Sequence, residues 1–170
     1  MKLANLSGKT IVIMVASGFD ETTFVRIQRA MMEAEAKLKV VSREAGLTNA
    51  WRGTGWGMSY PVDSTLSTTL AVDYDVLIIP QGDRHIEKLS TEVHAKRILR
   101  AFLRENMPVL IFAEAIKILD IVDIAHPQFV DGSKVARAGN LAVTKSDDIV
   151  SGLHLLNEIM LDGLDESRAA

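Results

Sequence analysis

Three uninterrupted apolar runs limit what this chain can fold into. Thr10-Ile11-Val12-Ile13-Met14-Val15, Val76-Leu77-Ile78-Ile79 and Val109-Leu110-Ile111-Phe112 are rich in β-branched residues and show no polar alternation. A strand with one solvated face alternates apolar and polar side chains, whereas a strand covered on both faces does not. Each run is therefore expected to lie inside a sheet with packing layers on both sides. Between the runs come amphipathic segments. Phe24, Ile27, Met31 and Ala34 fall on one helical face, and Arg26, Arg29, Glu33 and Lys37 cover the other. Leu38–Ser42 reads as the next strand. A strand, a helix and a strand in that order make a right-handed crossover between parallel neighbours.

The remaining elements follow the same alternation. Gln81–His85 reads as a loop, and Ser90 is placed to cap a helix reaching about Asn106 through Ile98, Leu99, Phe102 and Leu103. Ala113–Leu119 reads as a helix fed directly by the preceding strand, and Leu141-Ala142-Val143 as a short strand. Ser146 is expected to cap a last helix, with Asp147 and Asp148 in its first turn and Ile149, Leu153, Leu156 and Met160 inside. The polar tail after Asp162 is expected to fray. Residues 43–69 are less regular. They hold Trp51, Trp56 and the turn formers Gly53, Gly55, Gly57 and Pro61, and read as a small hairpin or excursion. The predicted fold is α/β: a three-layer α/β/α sandwich with a mainly parallel, flavodoxin-like sheet, formed by residues 1–170 as a single domain. Such sheets bind ligands beyond the carboxyl ends of their strands, so Ser17–Glu21, Gln81–His85 and Ala113–Ala115 are expected to converge there.

Composition removes several functions. Net charge is −3, which offers no broad basic surface for nucleic acid. No run of about 18 apolar residues is present to span a membrane. The opening residues are too polar for a signal-peptide core, so the expected setting is the cytoplasm. There are no cysteines, which rules out disulfides, thiolate metal sites and a cysteine nucleophile. His94, His126 and His154 show no metal-ligand spacing, and no metal or cofactor is expected. Arg52-Gly53-Thr54-Gly55-Trp56-Gly57 precedes no helix signal and reads as turn chemistry rather than a phosphate loop.

Several segments resemble the ThiJ/PfpI superfamily. Gly18-Phe19-Asp20-Glu21 is similar to that family's Gly-Phe-Glu-Asp loop, and Asp73–Gly82 to its Asp-Tyr-Asp-strand-Pro-Gly-Gly segment. Pro108–Ala115 lies where the family has its Pro-strand-Cys-His-Gly elbow, and Gly139–Thr144 resembles its late Gly-Asn-Leu strand. In active members the elbow Cys sits in a strained turn, and a nearby Glu and a helix N-terminus tune its thiol. Here the corresponding residues are Ala113, Glu114 and Ala115. The tuning Glu falls near Thr22 or Thr23. The oxyanion-type Gly pair reads Gln81-Gly82, and Asp120–Val135 is shorter than the family pattern. The resemblance implies that the family's peptidase, deglycase and redox-sensor chemistries are lost. A Cys-less branch with a small-acidic elbow is similar to the C-terminal domain of large-subunit catalases.

Two functional expectations result. The first is a non-catalytic domain acting in binding, oligomerisation (a homodimer, through the Trp-bearing excursion) or support of a partner domain. The second is a Cys-independent enzyme or small-molecule binder. It would use Glu114 with Asp83, Arg84 and His85, in a pocket that also holds Asp20, Glu21, Thr23, Gln81 and Gly82. There Glu114 serves as acid/base or cation anchor, Arg84 clamps a carboxylate or phosphate, and His85 shuttles a proton. The bland counterparts are first-turn helix residues for Asp20, Glu21 and Glu114, and a polar surface loop for Asp83–His85. A Ser17–His85–Asp triad lacks the Gly-x-Ser-x-Gly elbow. An open pocket joining Glu114 to His85 favours the second expectation, and packing by Phe19, Phe112 or Ile116 opposes it.

Overall fold

The computed structural model describes residues 5–145 and 148–169, with side chains through residue 163. A seven-stranded sheet forms the centre. Its strands are β1 (Thr10–Val15), β3 (Lys37–Ser42), β6 (Ser64–Thr65), β7 (Val76–Ile79), β8 (Val109–Phe112), β9 (Val135–Ala138) and β10 (Leu141–Thr144). Their spatial order is β6-β3-β1-β7-β8-β10-β9. Every pairing is parallel except β9 with β10, which is antiparallel. A second, three-stranded sheet sets β2 (Phe19–Asp20) beside β4 (Leu47–Trp51) and β5 (Trp56–Pro61).

Strand periodicity divides the core in two. Val12, Met14, Leu77, Ile79, Val109 and Ile111 face one side. They pack on Ile86 and Leu89 of α2 (Asp83–Ser90) and on Ile98, Leu99 and Phe102 of α3 (Val93–Arg104). Ile11, Ile13, Val15, Val76, Ile78, Leu110 and Phe112 face the other. They pack on Phe24, Ile27 and Met31 of α1 (Glu21–Glu33) and on Ile149, Leu153 and Leu156 of α5 (Ile149–Ala169). Burying one such side chain stabilises by roughly 1.5–3 kcal/mol, so the two slabs hold the sheet firmly between helix layers. Gln81–Gly82 and Ala113 lie just past the carboxyl ends of β7 and β8 as a result.

Several boundaries differ from expectation. The loop predicted at Gln81–His85 is already helical from Asp83, and Ser90 ends α2 rather than capping α3. Glu92 caps α3 instead, its carboxylate accepting from the His94 N–H at 3.3 Å. A short helix was hidden because its apolar residues, Ile86 and Leu89, are few and its other side chains polar. The helix expected at Ala113–Leu119 is a 3₁₀ turn, Ala113–Lys117, followed by α4 (Ile118–Ile121). The tail expected to fray continues α5 to Ala169, because Leu, Glu, Arg and Ala are good helix formers. The cap expected at Ser146 and Asp147 lies outside the described residues.

Candidate functional site

The three predicted loops meet at one place. Asp20 N–H donates to the Gln81 carbonyl at 2.9 Å, and Gly82 N–H donates to Glu114 Oε1 at 3.0 Å. Gly82 has φ +137°, and a Cβ there would lie 2.7 Å from the Gly18 carbonyl oxygen and 2.9 Å from Phe19 Cα. Backbone cannot retreat as a side chain can, so only glycine fits.

Ala113 follows β8 with φ +46°, in the left-handed region. An L-residue pays about 1–2 kcal/mol for that conformation. The turn after β8 is therefore strained, and its side chain is a methyl group. The following carboxylate, Glu114, is half-buried and holds the Gly82 N–H, a donor otherwise free to polarise a carbonyl oxygen.

The other predicted residues divide into separate roles. Asp20 caps α1, accepting from Thr23 N–H at 2.9 Å and from the Thr23 hydroxyl at 2.8 Å. Glu21 bridges to the hairpin: Arg52 Nε lies 2.6 Å away and the Met58 N–H donates at 2.7 Å. Those hydrogen bonds, from Arg52 first and then Met58, hold its carboxyl below the ordinary range. Asp83 is exposed in the first turn of α2.

His85 is fully buried. Its Nε2–H donates to the Pro80 carbonyl at 2.6 Å and its Nδ1 accepts from the Ala16 N–H at 3.3 Å, which defines a neutral ring. Burial, above all, lowers its pKa to about 4. Ser17 Oγ accepts from Asn49 N–H at 3.1 Å and neighbours Thr48 Oγ1 at 3.5 Å, so no Ser–His pair forms. No hydrogen bond joins Glu114 to His85 among the described residues. Phe19 and Phe112 are fully buried and Ile116 packs against the core. No group of three His, Asp or Glu placed to hold a metal occurs among the described residues.

Arg84 reaches the β4–β5 hairpin. Its guanidinium stacks on Trp51, 4.2 Å from the ring centroid, and lies 5.8 Å from Trp56. Trp51 and Trp56 meet edge to face across the β4–β5 hairpin at 5.2 Å. Lys88, one turn after Arg84, donates to the Ser17 carbonyl at 3.0 Å. Arg43 completes a hollow of about 350 Å³ with Arg84, Glu87, Lys88 and Thr91. Sequence reasoning overlooked Arg43 and Lys88; a helix started at Asp83 would have placed Arg84 and Lys88 on one face. A larger hollow of about 540 Å³ lies at the opposite end, where β1, β7 and β8 begin, and includes Lys9, Asp75, Pro108 and Asn157.

A doubly wound parallel sheet whose inner strand turns through a left-handed residue beside a glycine loop defines the class: a flavodoxin-like α/β domain. The chain belongs to the DJ-1/PfpI family, whose model matches residues 9–142. General stress protein 18 of Bacillus subtilis (strain 168) is 26% identical over 102 residues, covering 60% of this chain and 58% of that protein. A two-domain protein of Anabaena variabilis, containing DJ-1/ThiJ/PfpI-like and ferritin-like domains, superposes with a TM-score of 0.76 at 16% identity. That match covers 92% of this chain and 48% of the other. DJ-1beta of Drosophila melanogaster superposes with a TM-score of 0.76 at 18% identity, over 91% of each chain. The chain thus spans less than two thirds of both the Bacillus protein and the Anabaena protein. Among the described residues no helix is long and apolar enough to cross a membrane.

Proposed function

We propose that this chain is a non-catalytic DJ-1/PfpI domain that acts by association, with a second copy of itself or in support of a partner domain. One observation carries the proposal. The elbow keeps its strained backbone at Ala113 in a chain without cysteine, and Glu114 occupies the Gly82 donor. A methyl group offers no lone pair, and a carboxylate seated on the donor repels a developing oxyanion. Two features support association. The β4–β5 hairpin leaves Leu47, Trp56 and Met58 more than half exposed, and aromatic and Met side chains are enriched at interfaces. The Anabaena protein joins a domain of this fold to a ferritin-like module.

The test has two arms. Purified protein is incubated with an α-oxoaldehyde and with an unfolded peptide, and turnover is compared with a protein-free blank. Turnover equal to the blank is expected. Turnover above it that disappears in Glu114→Gln would overturn the proposal in favour of a Cys-independent enzyme. Sedimentation velocity is expected to show a species of twice 18.6 kDa. A lone monomer at every micromolar concentration would remove self-association.

A further inference from the structure

We propose that the hollow between Arg43 and α2 is a binding site for a small phosphate dianion, separate from the elbow. Three cationic side chains, Arg43, Arg84 and Lys88, line it with a single carboxylate, Glu87, leaving two positive charges in excess. Among the described residues none of the three cations has a carboxylate within salt-bridge distance; the ion pairs are Arg52–Glu21, Arg104–Glu105 and Arg137–Asp162. Glu44, beside Arg43 in sequence, keeps its negative charge but does not line the hollow. It accepts from the Ser42 hydroxyl at 2.6 Å and the Ser17 N–H at 3.2 Å. The lining is net positive, which favours a phosphate oxyanion over a cation.

Two of the three cationic heads are also held in place. Arg84 lies 4.2 Å over Trp51, and stacking uses the face of a guanidinium while leaving its N–H donors in the plane, ready for an oxyanion. Lys88 spends one of its three donors on the Ser17 carbonyl and keeps two. Arg84 and Lys88 stand four residues apart on α2, a spacing at which like charges repel and destabilise a helix. An anion between them and Arg43 removes that repulsion. Positions held before binding lower the entropy cost of capture.

The chain has two tryptophans, Trp51 and Trp56, and Arg84 contacts both. Intrinsic fluorescence therefore reports on this site without a label. The full chain is titrated with inorganic phosphate, with glycerol phosphate and with sodium chloride at matched ionic strength, and calorimetry is run in parallel. A saturable emission change with either phosphate compound, but not with chloride, is expected. Tighter binding of glycerol phosphate marks an esterified ligand, and tighter binding of inorganic phosphate marks the free ion; both support the site. Arg43→Gln, at an exposed position, is expected to weaken binding about ten-fold, as loss of one charge-assisted contact does. Arg100→Gln, exposed on α3, leaves binding unchanged. Lys88→Gln is the second variant should Arg43→Gln fail to fold. An equal response to chloride, no saturation below about 10 mM, or undiminished binding in both Arg43→Gln and Lys88→Gln would overturn the proposal.

Discussion

Acid should destabilise this domain through one buried residue, His85. His85 is fully buried, with Nδ1 occupied by the Ala16 N–H and Nε2–H by the Pro80 carbonyl. A second proton must enter at Nδ1, break the bond to Ala16 and leave a charge out of water. Burial is the main reason its pKa falls to about 4 from 6.5; the Pro80 carbonyl and Glu44 oppose the fall in part, and Lys88 adds to it. The folded pKa lies below the unfolded one, so the stability from a neutral His85 is complete above pH 6.5 and is lost as pH falls towards 4. The full shift corresponds to about 3 kcal/mol, of which about 2 kcal/mol is gone by about pH 5. With a urea slope of roughly 2 kcal/mol per molar, the unfolding midpoint should drop by about 1 M between neutral pH and about pH 5. Glu21 and Glu44 sit below the ordinary value of 4.5. For Glu44, burial would raise the pKa, but hydrogen bonds from Ser42 and Ser17 outweigh it. Their contributions therefore fade only below this window. His85→Gln should lose about 1–3 kcal/mol at neutral pH through an unpaired backbone group, and its midpoint should be flat across the window. An equal slope in wild type and variant would refute the assignment to His85.

Three further outcomes follow from the elbow and its glycine loop. Ala113→Gly should stabilise by about 0.5–1 kcal/mol, since glycine escapes the left-handed penalty but loses more chain entropy; urea unfolding measures the sign. Gly82→Ala should destabilise by about 3 kcal/mol or more, because its Cβ would strike the Gly18 carbonyl and Phe19 Cα; a melting point within a degree or two of wild type would contradict the close packing. Ala113→Cys should react slowly with iodoacetamide near neutral pH while Glu114 is present, and faster when Glu114→Gln is added, because a neighbouring carboxylate disfavours the thiolate.

What the sequence makes legible is what rests on local pattern. Thr10–Val15, Val76–Ile79 and Val109–Phe112 were readable because burial on both faces leaves no polar alternation. The inner face of α1 was readable from spacing alone, and Phe24, Ile27, Met31 and Ala34 are all buried. Features that exist only through tertiary partners were not. β2 is two residues long and is a strand because Phe19 and Asp20 pair with Ala50 and Trp51. β6 depends likewise on Val41 and Ser42. The convergence of the three loops was legible from sheet topology, whereas the role of each polar residue was not. His85 reads as a surface residue among Asp83 and Arg84, yet it lies on the inner side of α2 while they lie on the outer. That difference depends on where the helix begins, which Asp83-Arg84-His85 does not announce.

The order of the strands also determines how the molecule meets others of its kind when conditions deteriorate. Thr10–Val15, a six-residue run rich in β-branched side chains of the kind that can stack into cross-β fibrils, is third of seven and hydrogen-bonded on both sides. The two rims of the large sheet are a two-residue Ser-Thr strand and a four-residue strand carrying an exposed Arg137. Short or charged rims give an incoming chain little backbone to copy. Heating should therefore bring light scattering and loss of helix together, because the fibril-forming segment becomes available only when the whole sheet comes apart.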